Sequence, residues 1–163
     1  MAWTTPGTAT AGEVLTAAFW NTNVRDNSNE LAPFFSAWTS YTPSWTNLTV
    51  GNAVVTAKYF QIGKTVFYFG SIVWGSTTSA TSSTTLVSLP VTAISSNFDL
   101  ANGSLFIGDS GTRGYVGVCA PQTTTTMIFH HSESGNFGDV NATAPFTFGV
   151  ADFLKWSLIY QAA

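Results

Sequence analysis

The sequence predicts a mainly β protein: an antiparallel β-sandwich of jelly-roll type, preceded by an extended N-terminal arm and one helix. Three observations carry this expectation. From Tyr41 onward, short β-branched and aromatic runs alternate with clusters of Gly, Ser, Asn and Pro, the texture of strands separated by turns. Charged residues are only 8% of the 163 while aromatics are 15%, against roughly 25% charge in ordinary domains, so the chain has ample material for a core. Helical spacing is confined to one segment, which ends before Pro33.

The first ten residues are rich in Thr, Pro and Gly and read as an arm. Trp3 is a poor choice for a free tail and argues that the arm docks. Thr10-Ala11-Gly12-Glu13 fits a capping box, in which a hydroxyl meets an early N–H and the Glu reaches back to the cap. Beyond it Val14, Ala17, Asn21, Val24, Ser28 and Leu31 recur at spacings of three and four, a short heptad-like seam. Polar residues inside such a seam lower stability but fix register and oligomer number. Pro33 to Ser40 is a linker carrying Phe34, Phe35 and Trp38, three large aromatics that need a covering surface. Residues 1–40 are therefore expected to self-associate, and residues 41–163 to form a separate β domain. The expected contacts are Trp3, Val14, Ala17, Asn21, Val24, Leu31, Phe34, Phe35 and Trp38.

Strands are expected near 41–47, 53–62, 65–74, 84–89, 103–108, 114–120, 125–131 and 154–161, with a shorter one near 145–148. Gly63-Lys64 signals a tight hairpin. Residues 76–83, 108–114 and 132–139 read as loops or turns. Within 65–74 the run Val66, Phe67, Tyr68, Phe69, Ile72, Val73, Trp74 is nearly all apolar. Strict alternation would leave one face polar, so both faces are expected to be covered, one by the core and the other by a second subunit.

Several function classes are disfavoured. Five Lys and Arg among 163 residues cannot build a phosphate-neutralising stripe, so no nucleic-acid partner is expected. The longest nearly apolar stretch, 65–75, is too short for a membrane-spanning helix. No basic, apolar signal-peptide pattern opens the chain, so the protein is expected to be made in the cytoplasm without one. Cys119 is the only cysteine, which excludes an intrachain disulfide and a multi-Cys zinc site.

Gly108-Asp109-Ser110-Gly111 has the look of a serine-protease nucleophile segment. The only histidines, His130 and His131, lie downstream of it, and the string is what a β-turn looks like. Those two histidines are adjacent on a predicted strand and point to opposite faces, so one chain cannot use both on one metal. The eight acids are scattered, and no motif proposes a carboxylate pair. Thr123 to Thr126 suits a strand entry. No enzyme activity, metal or cofactor is expected.

Three segments together carry a resemblance. They are Thr5-Pro6-Gly7 with 12–27 (GEVLTAAFWNTNVRDN); Tyr41-Thr42-Pro43-Ser44-Trp45-Thr46 with 58–66 (KYFQIGKTV) and Ser88-Leu89-Pro90-Val91; and the ending 146–162 (FTFGVADFLKWSLIYQA). The chain resembles small structural proteins of tailed bacteriophages, the minor tail or fibre type, especially those of actinobacteriophages. The resemblance implies a virion component on the tail or head surface, usually a homotrimer. It implies attachment to other virion proteins through residues 1–35 and a β-rich knob displayed outward. The expected role is a short fibre or tail-tip protein that holds a host surface glycan by avidity. The alternative is a head fibre or capsid decoration protein, and a glycan depolymerase spike is the less favoured third reading.

Overall fold

The computed structural model describes residues 5–8, 10–31, 38–95, 103–133 and 136–163. The chain divides into two compact units, Met1–Ala37 and Trp38–Ala163. Trp38 to Ser40, read in sequence as linker, belongs to the second.

The first unit is built on a short helical run. It consists of α1 (Ala17–Trp20), a π-helical turn (Asn21–Asp26) and α2 (Asn27–Leu31). The capping contact expected at Thr10 exists, with the Thr10 N–H donating to Glu13 Oε2 at 3.0 Å. It closes a turn, however, and the helix itself starts later, where Thr16 Oγ1 accepts from the Phe19 N–H at 3.1 Å. Asn23 Nδ2 donates to the Phe19 carbonyl and Asn27 Nδ2 to the Asn23 carbonyl. Side-chain amides thus occupy carbonyls that an α-ladder uses, in the same turns where the backbone widens to π geometry. The arm folds back on this helix: the Gly7 N–H donates to Asn23 Oδ1 at 2.6 Å, and a Cβ on Gly7 would lie 3.2 Å from the Phe19 ring.

The second unit is an antiparallel sheet. In chain order its strands are β1 (Thr39–Tyr41), β2 (Trp45–Thr46), β3 (Leu48–Thr49), β4 (Val54–Ile62), β5 (Thr65–Val73), β6 (Ser79–Ala80), β7 (Leu86–Ser88), β8 (Gly103–Asp109), β9 (Arg113–Pro121), β10 (Thr126–Glu133), β11 (Asn136–Asp139) and β12 (Phe153–Gln161). Among the described residues the main sheet runs β1-β4-β5-β12-β8-β9-β10-β7-β2, and β3 pairs separately with β6. β11 joins the same edge of β10 as β7, further along the strand.

Hairpins follow local chemistry. Gly63 at φ 55° turns β4 into β5, and Gly111 at φ 78° turns β8 into β9; both need the left-handed region that glycine reaches without strain. The Thr-rich stretch at 123–126 caps the β9–β10 turn, with Thr123 Oγ1 accepting from the Thr125 and Thr126 N–H groups.

Three expectations require correction. The single strand expected at 41–47 is two strands on opposite edges of the sheet, because buried Pro43 cannot donate to a ladder and the chain changes partner there. Residues 132–139 are not a turn: they complete a hairpin, with Ser132 opposite Phe137 and Glu133 opposite Asn136. Residues 145–148 form no strand. Phe146 stacks on Tyr115 and Phe148 on Trp74, so this apolar run serves packing rather than pairing.

The sheet curls. Its outermost strands, β1 and β2, are joined by only three residues, which span about 10 Å, so the two edges must meet. They do. Tyr41 Oη lies 2.7 Å from Ser88 Oγ and donates to the Leu89 carbonyl at 3.1 Å, and the Ser88 N–H donates to the Ser44 carbonyl. Inside the curl Trp45, from one edge, reaches Phe129 and Trp156 with ring centroids 6.2 and 5.8 Å away. Tyr41, from the other edge, reaches Tyr68 at 5.9 Å. Trp156 sits opposite Gly70, where a Cβ would come within 2.1 Å of the indole; glycine is required by that close approach. Val66, Tyr68, Ile72, Ile107, Met127, Phe129, Leu154 and Leu158 complete the buried interior.

Candidate functional site

Strand alternation decides which side chains leave the core. On β5, Val66, Tyr68 and Ile72 face inward while Phe67, Phe69 and Val73 face outward. The registers align these outward positions into rows across the sheet. One row is Phe60–Phe67–Ile159. The next is Lys58–Phe69–Ser157–Ser104–Val118–His130–Asp139. A third is Thr56–Ser71–Lys155–Phe106–Val116–Ser132–Phe137. Monomer surfaces carry scattered apolar side chains, but here large ones fall in register.

They form two groups. In the first, Trp38 packs edge-on against Phe69 at 5.0 Å and at a tilt against Phe60 at 5.6 Å. Around Phe69 opens a shallow cleft of about 310 Å³ lined by Thr56, Lys58, Phe69, Gly70, Ser71, Lys155 and Trp156. Two of the chain's five basic residues thus flank one exposed ring, and no carboxylate stands among the lining residues. Lys155 Nζ also lies 4.7 Å from the centre of the Phe153 ring. In the second group Phe106, Val116 and Phe137 share one row and are 44, 66 and 70% exposed.

The two histidines diverge as strand geometry requires. His130 Nδ1 faces Asp139 Oδ1 at 2.8 Å, and Asp139 Oδ2 accepts from Thr84 Oγ1. His131 points inward, is 8% exposed, and its Nδ1 has no hydrogen-bond partner in the protein. Loss of hydration on burial holds its pKa below the usual imidazole range, against the opposing pull of the Glu133 and Asp139 charges and with a small contribution from His130. Among the described residues no group of three or more His, Cys, Asp and Glu side chains could hold a metal ion. Ser110 lies in the β8–β9 turn, and its backbone N–H donates to Asp152 Oδ1. That buried carboxylate also accepts from the Gly149 N–H at 2.6 Å, so it ties two turns together.

The sequence-derived contact residues distribute as follows. Val14 precedes the helix and is 84% exposed. Ala17, Val24 and Leu31 are exposed on it, and Asn21 is half-buried. Trp38 is exposed on the sheet unit. Trp3, Phe34 and Phe35 lie outside the described residues. The sequence reading missed the lysine–phenylalanine cleft. Its signal was the alternation of 53–62 and 154–161, which puts Lys58 and Lys155 on the face away from the core.

Compared with protein-family models, curated proteins and solved structures, the chain matches none of them. Among the described residues no helix is long and apolar enough to cross a membrane.

Proposed function

We propose that this protein is a non-enzymatic surface component of a tailed-bacteriophage virion, a homotrimeric short fibre or tail-tip protein. Residues 1–35 grip other virion proteins, and the curled sheet, read as a jelly-roll-type sandwich, is displayed for attachment to the host surface. Three recurring sequence segments support the virion reading. The observation that carries the assembly reading is the outward row Phe106–Val116–Phe137, which leaves large apolar side chains in water unless a sister copy covers them. Trimerisation through the row and the helix multiplies weak attachment contacts, because once one knob is bound the next binds at high effective concentration. Head decoration uses the same parts, with the particle site as the only difference.

The test is labelling of intact virions with and without residues 1–35. The full chain is expected on the particle, and the shortened chain is expected to stay folded but unattached. A shortened chain that decorates particles at the normal level overturns the anchoring role.

A further inference from the structure

We propose that the cleft around Phe69, between β4, β5 and β12, is a binding site for an acidic surface saccharide whose charged group is a carboxylate or a phosphate. The proposal rests on the attachment reading above and names the ligand class for it. Three features of the cleft converge on that chemistry. Lys58 stands directly opposite Phe69, and Lys155 lines the cleft from the neighbouring outward row with its ammonium over the Phe153 ring. Arg25 and Arg113 are engaged by Asp26 and Glu133, whereas among the described residues neither cleft lysine is paired with a carboxylate. The ring of Phe69 is 41% exposed and is held in place edge-on by Trp38, which makes it a pre-set apolar platform for the C–H face of a sugar. Thr56 and Ser71 stand opposite each other on β4 and β5 and add hydroxyls for hydrogen bonds to ring substituents.

Charge placement favours an anion over a neutral or cationic partner. The chain carries a net charge of −3, yet this cleft concentrates positive charge with no acid in its lining. A three-fold contact that buried this cleft would desolvate both lysines with no carboxylate in the lining to offset it, so self-association is assigned to the Phe106–Val116–Phe137 row instead. The volume of about 310 Å³ is at the lower end of small-ligand sites, which suits a short stretch of a polymer bound weakly and repeated by avidity.

The experiment is saturation-transfer NMR and titration on the full chain with three probes: oligogalacturonate, its neutral methyl ester, and poly(glycerol phosphate). At least one acidic probe is expected to bind, and the methyl ester at least about tenfold more weakly than oligogalacturonate if the carboxylate is the recognised group. The double variant Lys58→Gln/Lys155→Gln is expected to lose about tenfold or more for the bound acidic probe, while Lys58→Arg/Lys155→Arg retains it. Binding of the phosphate polymer alone supports the site and assigns phosphate as its anion. The proposal is overturned if neither acidic probe binds, if oligogalacturonate binds and its neutral ester matches it, or if the Gln variant binds like the wild type. A Gln variant whose native mass falls while binding is unchanged also overturns it, because the cleft is then a contact between copies. Binding to the isolated chain is read independently of virion location, so failure here leaves the particle-labelling result standing.

Discussion

Cys119 lies on β9 with Sγ 3.5 Å from the Ser157 carbonyl and 3.6 Å from the Ser104 carbonyl. Burial pushes its thiol up to about 12, so at neutral pH the thiol stays protonated and enclosed. A thiol reagent is expected to label it only as the sheet unfolds, with labelling and the loss of β circular dichroism sharing one denaturant midpoint; rapid labelling of native protein would contradict this. Asp152 is a second decisive residue. Replacing it with Ala removes the acceptor of the Ser110 and Gly149 N–H groups, and two part-buried hydrogen bonds lost cost about 1–3 kcal/mol, measurable by urea titration. For His131 the lowered native pKa means that the unfolded chain binds the proton first on acidification. Its stabilising contribution is complete above about pH 6.5 and is lost as pH falls through the native value. His131→Phe is expected to flatten that part of the stability profile, and an unchanged profile would remove His131 from the acid response.

At the scale of elements, the seam between β1 and β7 is the place where the curl closes. Tyr41→Phe removes the hydroxyl contacts to Ser88 and Leu89 and is expected to cost about 1 kcal/mol. The first amides to lose hydrogen-exchange protection should be those of β1 and β7. In the helix, Asn21→Leu is expected to change the oligomer distribution more than the helical content, read by sedimentation against circular dichroism. The longer strands were legible in the sequence because β4, β5, β9 and β12 alternate or run apolar over nine residues each. β11 was not, since its Asn, Gly and Asp residues have the texture of a turn and only pairing to β10 makes it a strand. The break at Pro43 was hidden because strand partners remote in sequence decide it, and the late helix start because the Thr16 hydroxyl, not the apolar periodicity, sets the first turn.

For the whole molecule, the apolar interior and the outward aromatic rows come from the same strands, and only register distinguishes them. The sequence reads 65–74 as apolar on both sides and expects a second subunit on its outer face, beside the self-contacts expected in the helix and linker. The sheet adds Phe106, Val116 and Phe137, which lie on three strands and come together only after folding. For the cleft, alternation turns Lys58 and Lys155 outward, but that they share one site was not legible, because they are remote in sequence and are joined only through β5. The central claim is that the Phe106–Val116–Phe137 row is covered by sister copies. Sedimentation equilibrium of the full chain, beside Val116→Ser/Phe137→Ser, tests it most directly. The account predicts a native mass three times the 17.3 kDa chain and a marked shift toward monomer in the double variant with its β signal intact. A wild-type chain that sediments as a single 17.3 kDa species at tens of micromolar would contradict it.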